Sequence, residues 1–391
     1  YSGKGLDIVE DVDGDGYSDV VVGATGGARL IRMLSGKTGE MLWTYYTNAV
    51  GNGGWVYQVD GSRDFNGDGT IDVLACAGDD GDDSGPKRAY CFDGIDGTLL
   101  WEYPVGGPVF AIIAVDDFTD DGIPDAVAGA SDQWETEGLA IGLNGATGQS
   151  EWSFPTDGSS VWSLAQIGNV NFDGIKDVMV GDFYGDYYAL SSTTGNELYN
   201  GTGLGILTGF TRIDDVNGDG HPDVVPEHFY NFVRVISGKD GTAIWTTSVI
   251  DSPTVSEVAH DFNSDGINDL VVGTLFSDNY TYFLDGANGD VLHSANFGTP
   301  IDSITAIPDI VGDGSWELVA GGRDGTIACY SGGIDAVVYN PADINEDGMV
   351  GVIDLLIVID QWGQTDSPAD INGDGIVSVS DLLLVVDNWG Q

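Results

Sequence analysis

The chain has 391 residues, of which 63 are acidic and only 12 basic, giving a net charge of −51. That balance excludes a nucleic-acid binder, which needs a basic footprint. Sixty glycines beside 42% hydrophobic residues mark a turn-rich globular chain, and no apolar run reaches the roughly 18 residues of a membrane-spanning helix.

In chain order the first element is a short apolar run, Leu6 to Val9. It follows a start at Tyr1 without an initiator Met, as expected of a processed or trimmed chain. An acidic loop comes next, Asp11-Val-Asp13-Gly-Asp15-Gly-Tyr17-Ser-Asp19, and then a second apolar run, Val20 to Ala24. A third, Arg29 to Leu34, ends in the turn Ser35-Gly-Lys-Thr-Gly39, and a fourth carries Trp43. Runs of four to six residues rich in β-branched side chains predict buried strands.

The acidic loop returns at Asp64 to Asp72, Asp117 to Asp125, Asn169 to Asp177, Asp215 to Asp223 and Asp261 to Asp269. A weakened copy runs from Asp309 to Glu317, with Val311 in place of a polar residue. The start-to-start gaps are 53, 53, 52, 46, 46 and 48 residues. A period in this range is the signature of a repeat architecture. Four strands per unit and seven units predict an all-β seven-bladed β-propeller over residues 1–339, with its sheets set radially around a channel. The fourth-strand aromatic recurs as Trp101, Trp152 and Trp245, with Tyr199 and His293 replacing it in two units. In the seventh unit the turn shortens to Ser331-Gly-Gly333, and Ile334 to Tyr339 stands as a candidate fourth strand, or something else completes the blade.

Near Asn340 the grammar changes. Two further loops, Asp343 to Asp354 and Asp370 to Asp381, each precede an amphipathic stretch, Leu355 to Ile359 and Leu382 to Val386. An acid at the twelfth loop position leading into a helix predicts a small α-helical module of paired loop–helix units over residues 340–391. The connection Asn340-Pro-Ala342 is too short for a flexible linker, so the module is expected close to the propeller.

Acids at alternate loop positions are what hard cations need, because such ions take oxygen ligands. Nine loops predict about nine Ca²⁺ sites, and a cation-free chain that strongly repels itself. Weak sites of this kind fill outside the cytosol, which points to an extracellular or cell-surface protein. The run Asp79-Asp-Gly-Asp-Asp83 is either a further cation hairpin or a solvated loop.

The seven propeller loops resemble the FG-GAP repeats of integrin α-subunits and bacterial surface proteins. The resemblance implies Ca²⁺ held between the first and second strands of each blade. Carried over, the first site uses Asp11, Asp13, Asp15, the Tyr17 carbonyl and Asp19, and the second Asp64, Asn66, Asp68, Thr70 and Asp72. The third takes Asp117, Thr119, Asp121, Ile123 and Asp125, and the fourth Asn169, Asn171, Asp173, Ile175 and Asp177. The fifth takes Asp215, Asn217, Asp219, His221 and Asp223, the sixth Asp261, Asn263, Asp265, Ile267 and Asp269, and the seventh Asp309, Asp313 and Glu317. The C-terminal pair resembles a type I dockerin, which implies Ca²⁺ in both loops and a cohesin partner. Its ligands are Asp343, Asn345, Asp347, Met349 and Asp354, then Asp370, Asn372, Asp374, Ile376 and Asp381. At the recognition positions Val352-Ile353 and Val379-Ser380 are more apolar than the family's usual Ser/Thr pair.

The Thr-Gly-x-x-x-Trp turns resemble the tryptophan-docking motif of quinoprotein propellers, which implies packing between blades. The chain lacks the vicinal Cys pair often found in that family's cofactor site. Its three cysteines, Cys76, Cys91 and Cys329, are odd in number. Cys76 and Cys91 read as buried small hydrophobes, with a disulfide between them as the alternative. The histidines His221, His228, His260 and His293 are scattered, and no Gly-x-Ser-x-Gly or phosphate-cradling loop occurs.

Aromatics cluster where loops join second to third strands: Trp134, Phe183, Tyr184, Tyr187, Phe229, Tyr230, Phe276 and Tyr280. They mark either a face for glycan or protein, or packing between blades. Asn200-Gly-Thr202 and Asn279-Tyr-Thr281 fit the N-glycosylation pattern. The expected function is a non-catalytic structural or adhesive protein. Its dockerin-like module would engage another protein, either a cohesin-like domain or the next copy of the chain in a head-to-tail filament. The alternatives are a carbohydrate-active enzyme resembling the propeller polysaccharide lyases, and a carbohydrate-binding lectin.

Overall fold

The computed structural model describes the chain except residues 1–4, 25–27, 48–53, 79–84, 264, 277–278, 311, 313–315, 332–341, 343, 346–349, 366 and 390–391. Blade 1 is formed by β1 (Leu6–Val9), β2 (Asp19–Gly23), β3 (Leu30–Leu34) and β4 (Met41–Tyr46), paired antiparallel in chain order. Val9 faces Asp19 across β1 and β2, so the acidic loop closes the hairpin directly. The turn between β3 and β4 lies at the same end.

The same meander repeats. Blade 2 has strands Trp55–Arg63, Asp72–Gly78, Arg88–Phe92 and Leu99–Pro104, and blade 3 has Val109–Val115, Asp125–Ser131, Gly138–Leu143 and Ser150–Pro155. Blade 4 has Val161–Gln166, Val178–Asp182, Tyr187–Leu190 and Glu197–Gly201, and blade 5 has Leu207–Ile213, Asp223–His228, Phe232–Ile236 and Ala243–Ser248. Blade 6 has Pro253–Val258, Leu270–Thr274, Tyr280–Leu284 and Val291–Asn296. Blade 7 has three strands among the described residues, Ile301–Ile307, Glu317–Gly322 and Ile327–Tyr330. Its expected fourth strand at 334–339, the connection at 340–341 and the acidic hairpin at 79–83 lie outside the described residues.

The core sits between blades, because each sheet is apolar on both faces. Val9, Val21 and Met33 of blade 1 pack on Val56, Val73 and Tyr90 of blade 2. Leu74 and Cys91 of blade 2 in turn pack on Ile112 and Ile141 of blade 3. Each such buried side chain contributes about 1.5–3 kcal/mol. A cavity of about 800 Å³ is lined by Leu6 and Ile8 of blade 1, by Thr211, Ser256 and Ile304 on the first strands of blades 5 to 7, and by Val319 and Ile327 of blade 7. This corrects the expectation of a buried strand for the first run of blade 1: Leu6 and Ile8 are 54% and 67% exposed, because they face this cavity.

Fourth-strand aromatics clasp the following blade. Trp101 Nε1 donates to the Gly145 carbonyl at 2.6 Å, Trp152 Nε1 to Ser192 at 2.6 Å and Trp245 Nε1 to Gly286 at 2.9 Å. Tyr199 fills the same role through its hydroxyl, 2.7 Å from the Gly238 carbonyl oxygen. His293 is exposed beside Phe283 instead. Cys76 and Cys91 are buried and free, as the small-hydrophobe reading has it, and Cys329 is free and exposed. The strand register sets Cys76 opposite Ala89 and Cys91 opposite Leu74, so the two thiols are not cross-strand partners. Two of the expected loop aromatics belong to strands: Tyr187 is buried and donates to the Gly241 carbonyl, and Tyr280 begins the third strand of blade 6. Trp134, Tyr184, Tyr230 and Phe276 are exposed.

The chain divides into two compact units, residues 1–307 with 318–330 and residues 308–317 with 331–391. In the second, α1 (Val352–Asp360) and α2 (Val379–Asp387) repeat one plan. Ala342, Val350 and Val358 are buried with Ala369, Val377 and Val385, their equivalents 27 residues on. Asp354 and Asp381 cap the helices by accepting the Gly351 and Ser378 N–H groups, both at 2.8 Å.

Candidate metal centres

Each acidic loop is folded by its own carboxylates. In blade 1, Asp11 Oδ1 accepts the Gly14 and Asp15 N–H groups at 2.7 and 2.9 Å, and Asp11 Oδ2 accepts Gly16 N–H at 2.7 Å. Asp13 accepts Asp15 N–H, and Asp15 accepts Tyr17 N–H at 3.0 Å. Gly14 and Gly16 hold φ of 79° and 89°, which a side chain would resist. The result brings one carboxylate oxygen each of Asp11, Asp13 and Asp15 within 4.8 Å of one another. The Gly16 N–H bond, followed by those of Asp15 and Gly14, holds the Asp11 carboxyl below its ordinary pKa. Burial and the Asp15 charge push Asp13 up.

The pattern recurs. The seventh-position N–H of Thr70, Ile123, Ile175, His221 and Ile267 donates to the fifth-position carboxylate of Asp68, Asp121, Asp173, Asp219 and Asp265 at 2.8–3.0 Å. First-position Asp64, Asp117, Asp215 and Asp261 each accept the sixth-position Gly N–H at 2.8 Å. Asn169 accepts Asp173 N–H instead. At the third position the Asn66, Asn171, Asn217 and Asn263 side-chain oxygens accept the fifth-position N–H, while Thr119 turns its hydroxyl toward Asp125 at 3.2 Å. The second loop of the small unit follows suit: Asp370 accepts Asp374 and Gly375 N–H, Asn372 accepts Asp374 N–H, and Asp374 accepts Ile376 N–H.

The ninth-position acid does something the sequence pattern did not reveal. Asp19 is fully buried and accepts Val12 N–H at 2.9 Å and Gly36 N–H at 3.0 Å, tying its loop to the turn between β3 and β4. Asp72 does the same with Phe65 and Gly94, Asp125 with Phe118 and Gly145, and Asp223 with Val216 and Gly238. Asp269 joins Phe262 and Gly286, and Asp177 accepts Val170 N–H. Glu317 makes the loop half of this clamp in blade 7, accepting Ile310 N–H at 3.0 Å, while Asp309 accepts Gly312 N–H. Burial pushes Asp72 and Asp223 up to about 6 in the cation-free protein. The clamp's only sequence signal is the glycine second in the turn of blades 1, 2, 3, 5 and 6, replaced by Ser192 in blade 4: a Cβ on Gly94 would stand 1.9 Å from the Ile71 carbonyl oxygen.

In the small unit, Asp354 accepts the Ile344 and Asn345 N–H groups and Asp381 accepts Asn372 N–H, so the twelfth-position acid closes each loop onto its helix. Asp313, Asp343, Asp347 and Met349 lie outside the described residues. The donors at positions one, three and five are all hard oxygens, the set that Ca²⁺ takes and that softer metals leave aside.

No helix among the described residues is long and apolar enough to cross a membrane. The model of an FG-GAP-like repeat matches residues 11–75, and that of the dockerin type I domain matches residues 341–389. No curated protein matches the chain in sequence. Among solved structures, BBS1N in complex with ARL6DN is similar at 11% identity, with 86% of this chain and 94% of that one covered and a TM-score of 0.60. Sqt1 of Saccharomyces cerevisiae is similar at 12% identity over 80% and 81% of the two chains, with a TM-score of 0.60. The computationally designed Ika8 protein is similar at 18% identity over 80% and 93%, with a TM-score of 0.51. These likenesses speak for the fold alone. The chain is a seven-bladed β-propeller with an FG-GAP-like repeat in its first acidic loop region and a dockerin type I domain at residues 341–389.

Proposed function

We propose that this is a non-catalytic extracellular assembly protein: a Ca²⁺-stabilised propeller, residues 1–339, joined to a dockerin module, residues 340–391, that docks onto another protein. The observation that carries it is a doubled apolar stripe. Val352, Leu356, Ile359 and Trp362 are exposed on and just after α1, and Val379, Leu383, Val386 and Trp389 are their exposed equivalents on and just after α2. Helical spacing places each set along one face. Exposed contiguous apolar surface on a soluble domain marks a protein contact, and chemical equivalence lets either stripe seat the same partner.

A cohesin-like domain is the partner that the dockerin match supports. Self-assembly into a head-to-tail filament is a second reading, favoured by the exposed pair Val352 and Ile353 at the recognition positions. The non-catalytic reading draws support from the histidines. His228 is buried with its pKa pushed down to about 4, His221 sits in an acidic loop, and His293 is exposed on a fourth strand. Light scattering across concentration, in Ca²⁺ and then in EDTA, tests the assembly reading together with a pull-down on cohesin domains. Mass growing with concentration only in Ca²⁺ supports the filament, and a steady monomer captured by cohesin supports the scaffold partner. A steady monomer that captures nothing overturns the proposal.

A further inference from the structure

In blades 1 to 5 the turn between the third and fourth strands reaches over that blade's acidic loop, and its chemistry changes from blade to blade. In blades 1 and 5 it brings an ammonium. Lys37 Nζ lies 3.2 Å from the Asp15 carbonyl oxygen and 4.0 Å from Asp15 Oδ2, and Lys239 Nζ lies 3.3 Å from the Asp219 carbonyl oxygen. Serines two positions earlier reach the same residues, Ser35 Oγ to Asp15 and Ser237 Oγ to Asp219. In blades 3 and 4 the contact is neutral: Asn144 Nδ2 to Asp121 Oδ2 at 2.7 Å, and Thr193 Oγ1 to Asp173 Oδ2 at 3.0 Å. Blade 2 brings a further carboxylate, Asp93, whose Oδ2 accepts from Asn66 Nδ2 at 3.2 Å, whereas Asp285 at the same turn position of blade 6 accepts Ala287 N–H and Asn288 Nδ2 within its own turn.

We propose that this turn tunes the cation affinity of the loop beneath it: Lys37 and Lys239 weaken Ca²⁺ binding in blades 1 and 5, and Asp93 strengthens it in blade 2. The inference rests on the Ca²⁺ reading above. An ammonium touching a ligand residue disfavours a divalent cation there, and an added carboxylate favours one. Charge count is the main lever on affinity in loops of this type. In blade 1 the lysine also offsets the extra acid, since Asp13 stands where blades 2, 4, 5 and 6 have asparagine.

Tyr17 makes loop 1 separately readable. Its ring belongs to the loop and lies 4.9 Å from Lys37 Nζ, so it can sensitise a terbium ion bound there. Terbium luminescence is titrated on the full chain, and the signal lost in Tyr17→Phe is assigned to loop 1. Lys37→Met is expected to lower the half-saturating concentration of that signal about fivefold, the scale of an exposed charge contact. The gain should shrink in high salt, and Lys37→Arg should behave as wild type. Calorimetry with Ca²⁺ reads blade 2, where Asp93→Asn is expected to weaken one class of site. An unchanged or raised half-saturation in Lys37→Met, or tighter binding in Asp93→Asn, overturns the tuning while leaving the Ca²⁺ reading intact. A wild-type chain that binds neither ion overturns both.

Discussion

The Trp43 indole of blade 1 donates a 2.8 Å hydrogen bond to the carbonyl oxygen of Gly94 in blade 2. Its ring covers Gly97 so closely that a Cβ there would meet it at 2.6 Å, and Gly97 holds φ at 73°. Two independent constraints, space and backbone angle, thus require glycine where the clasp closes. Trp43→Ala should destabilise the propeller by about 3–5 kcal/mol, the range for emptying a buried aromatic site. Trp43→Phe, which keeps a ring but loses the hydrogen bond, should cost about 1 kcal/mol. Urea unfolding in excess Ca²⁺, followed by tryptophan-independent circular dichroism, checks the order of the two.

Asp68 and Asp72 belong to one loop but should fail differently. Asp68 is exposed at the fifth position of the proposed cation loop, whereas both carboxylate oxygens of Asp72 accept buried backbone N–H groups. Asp68→Asn should weaken Ca²⁺ binding and leave the melting temperature in EDTA unchanged. Asp72→Asn should lower the melting temperature with and without Ca²⁺, by the equivalent of about 2 kcal/mol, because an amide nitrogen replaces one acceptor. Calorimetric binding and thermal melts separate the two losses.

His228 gives the propeller a pH dependence apart from its acidic loops. It is fully buried, its Nδ1 accepts Tyr230 N–H at 3.1 Å, and burial, with a smaller effect from Arg234, pushes its pKa down to about 4 from the usual 6.5. A depressed histidine binds its proton more readily when unfolded. Its neutral form is therefore fully compatible with folding above pH 6.5, and stability is lost as pH falls from 6.5 toward 4. The loss reaches about 3 kcal/mol at the lower end. Melts from pH 7.5 to 5 in saturating Ca²⁺ should show a steeper decline in wild type than in His228→Gln, and parallel curves would contradict the assignment.

The doubled stripe of the dockerin module should make single lesions silent. Leu356→Asp alone, or Leu383→Asp alone, should leave partner binding within about threefold of wild type, since the other stripe remains; the double variant should lose more than about a hundredfold, as expected when central apolar anchors go. Both leucines are exposed, so folding should be unaffected, which circular dichroism can verify.

The fold was legible because its repeat was written twice, in acidic loops and in aromatic turns, and the two agree on the blades. The loop residues brought together in blade 1, Asp11, Asp13 and Asp15, were legible from alternate spacing alone. The clamp made by Asp19 and its equivalents was not, since spacing marks the acids of a loop but not the backbone N–H groups, seventeen residues away for Asp19, that a ninth-position carboxylate also accepts. The exposure of Leu6 and Ile8 was hidden for a related reason: apolar composition predicts a strand but not that the strand lines a cavity. Tyr187 looked like a loop residue because the second hairpin of blade 4 is short, and its register placed it in the sheet.

Every clasp joins residues between 39 and 51 positions apart, with the donor always earlier in the chain than its acceptor. Each of blades 1 to 5 can therefore finish its outer seam only once the next has been made, which gives folding a direction along the chain. Steps of this length carry a modest loop-closure penalty, so blades can add in sequence as the chain emerges during synthesis. The ring closure is different: it has to bring Leu6 and Ile327, which line one cavity, to the same place from almost opposite ends of the propeller sequence. That closure is the slow, high-contact-order event, and it should set the refolding rate.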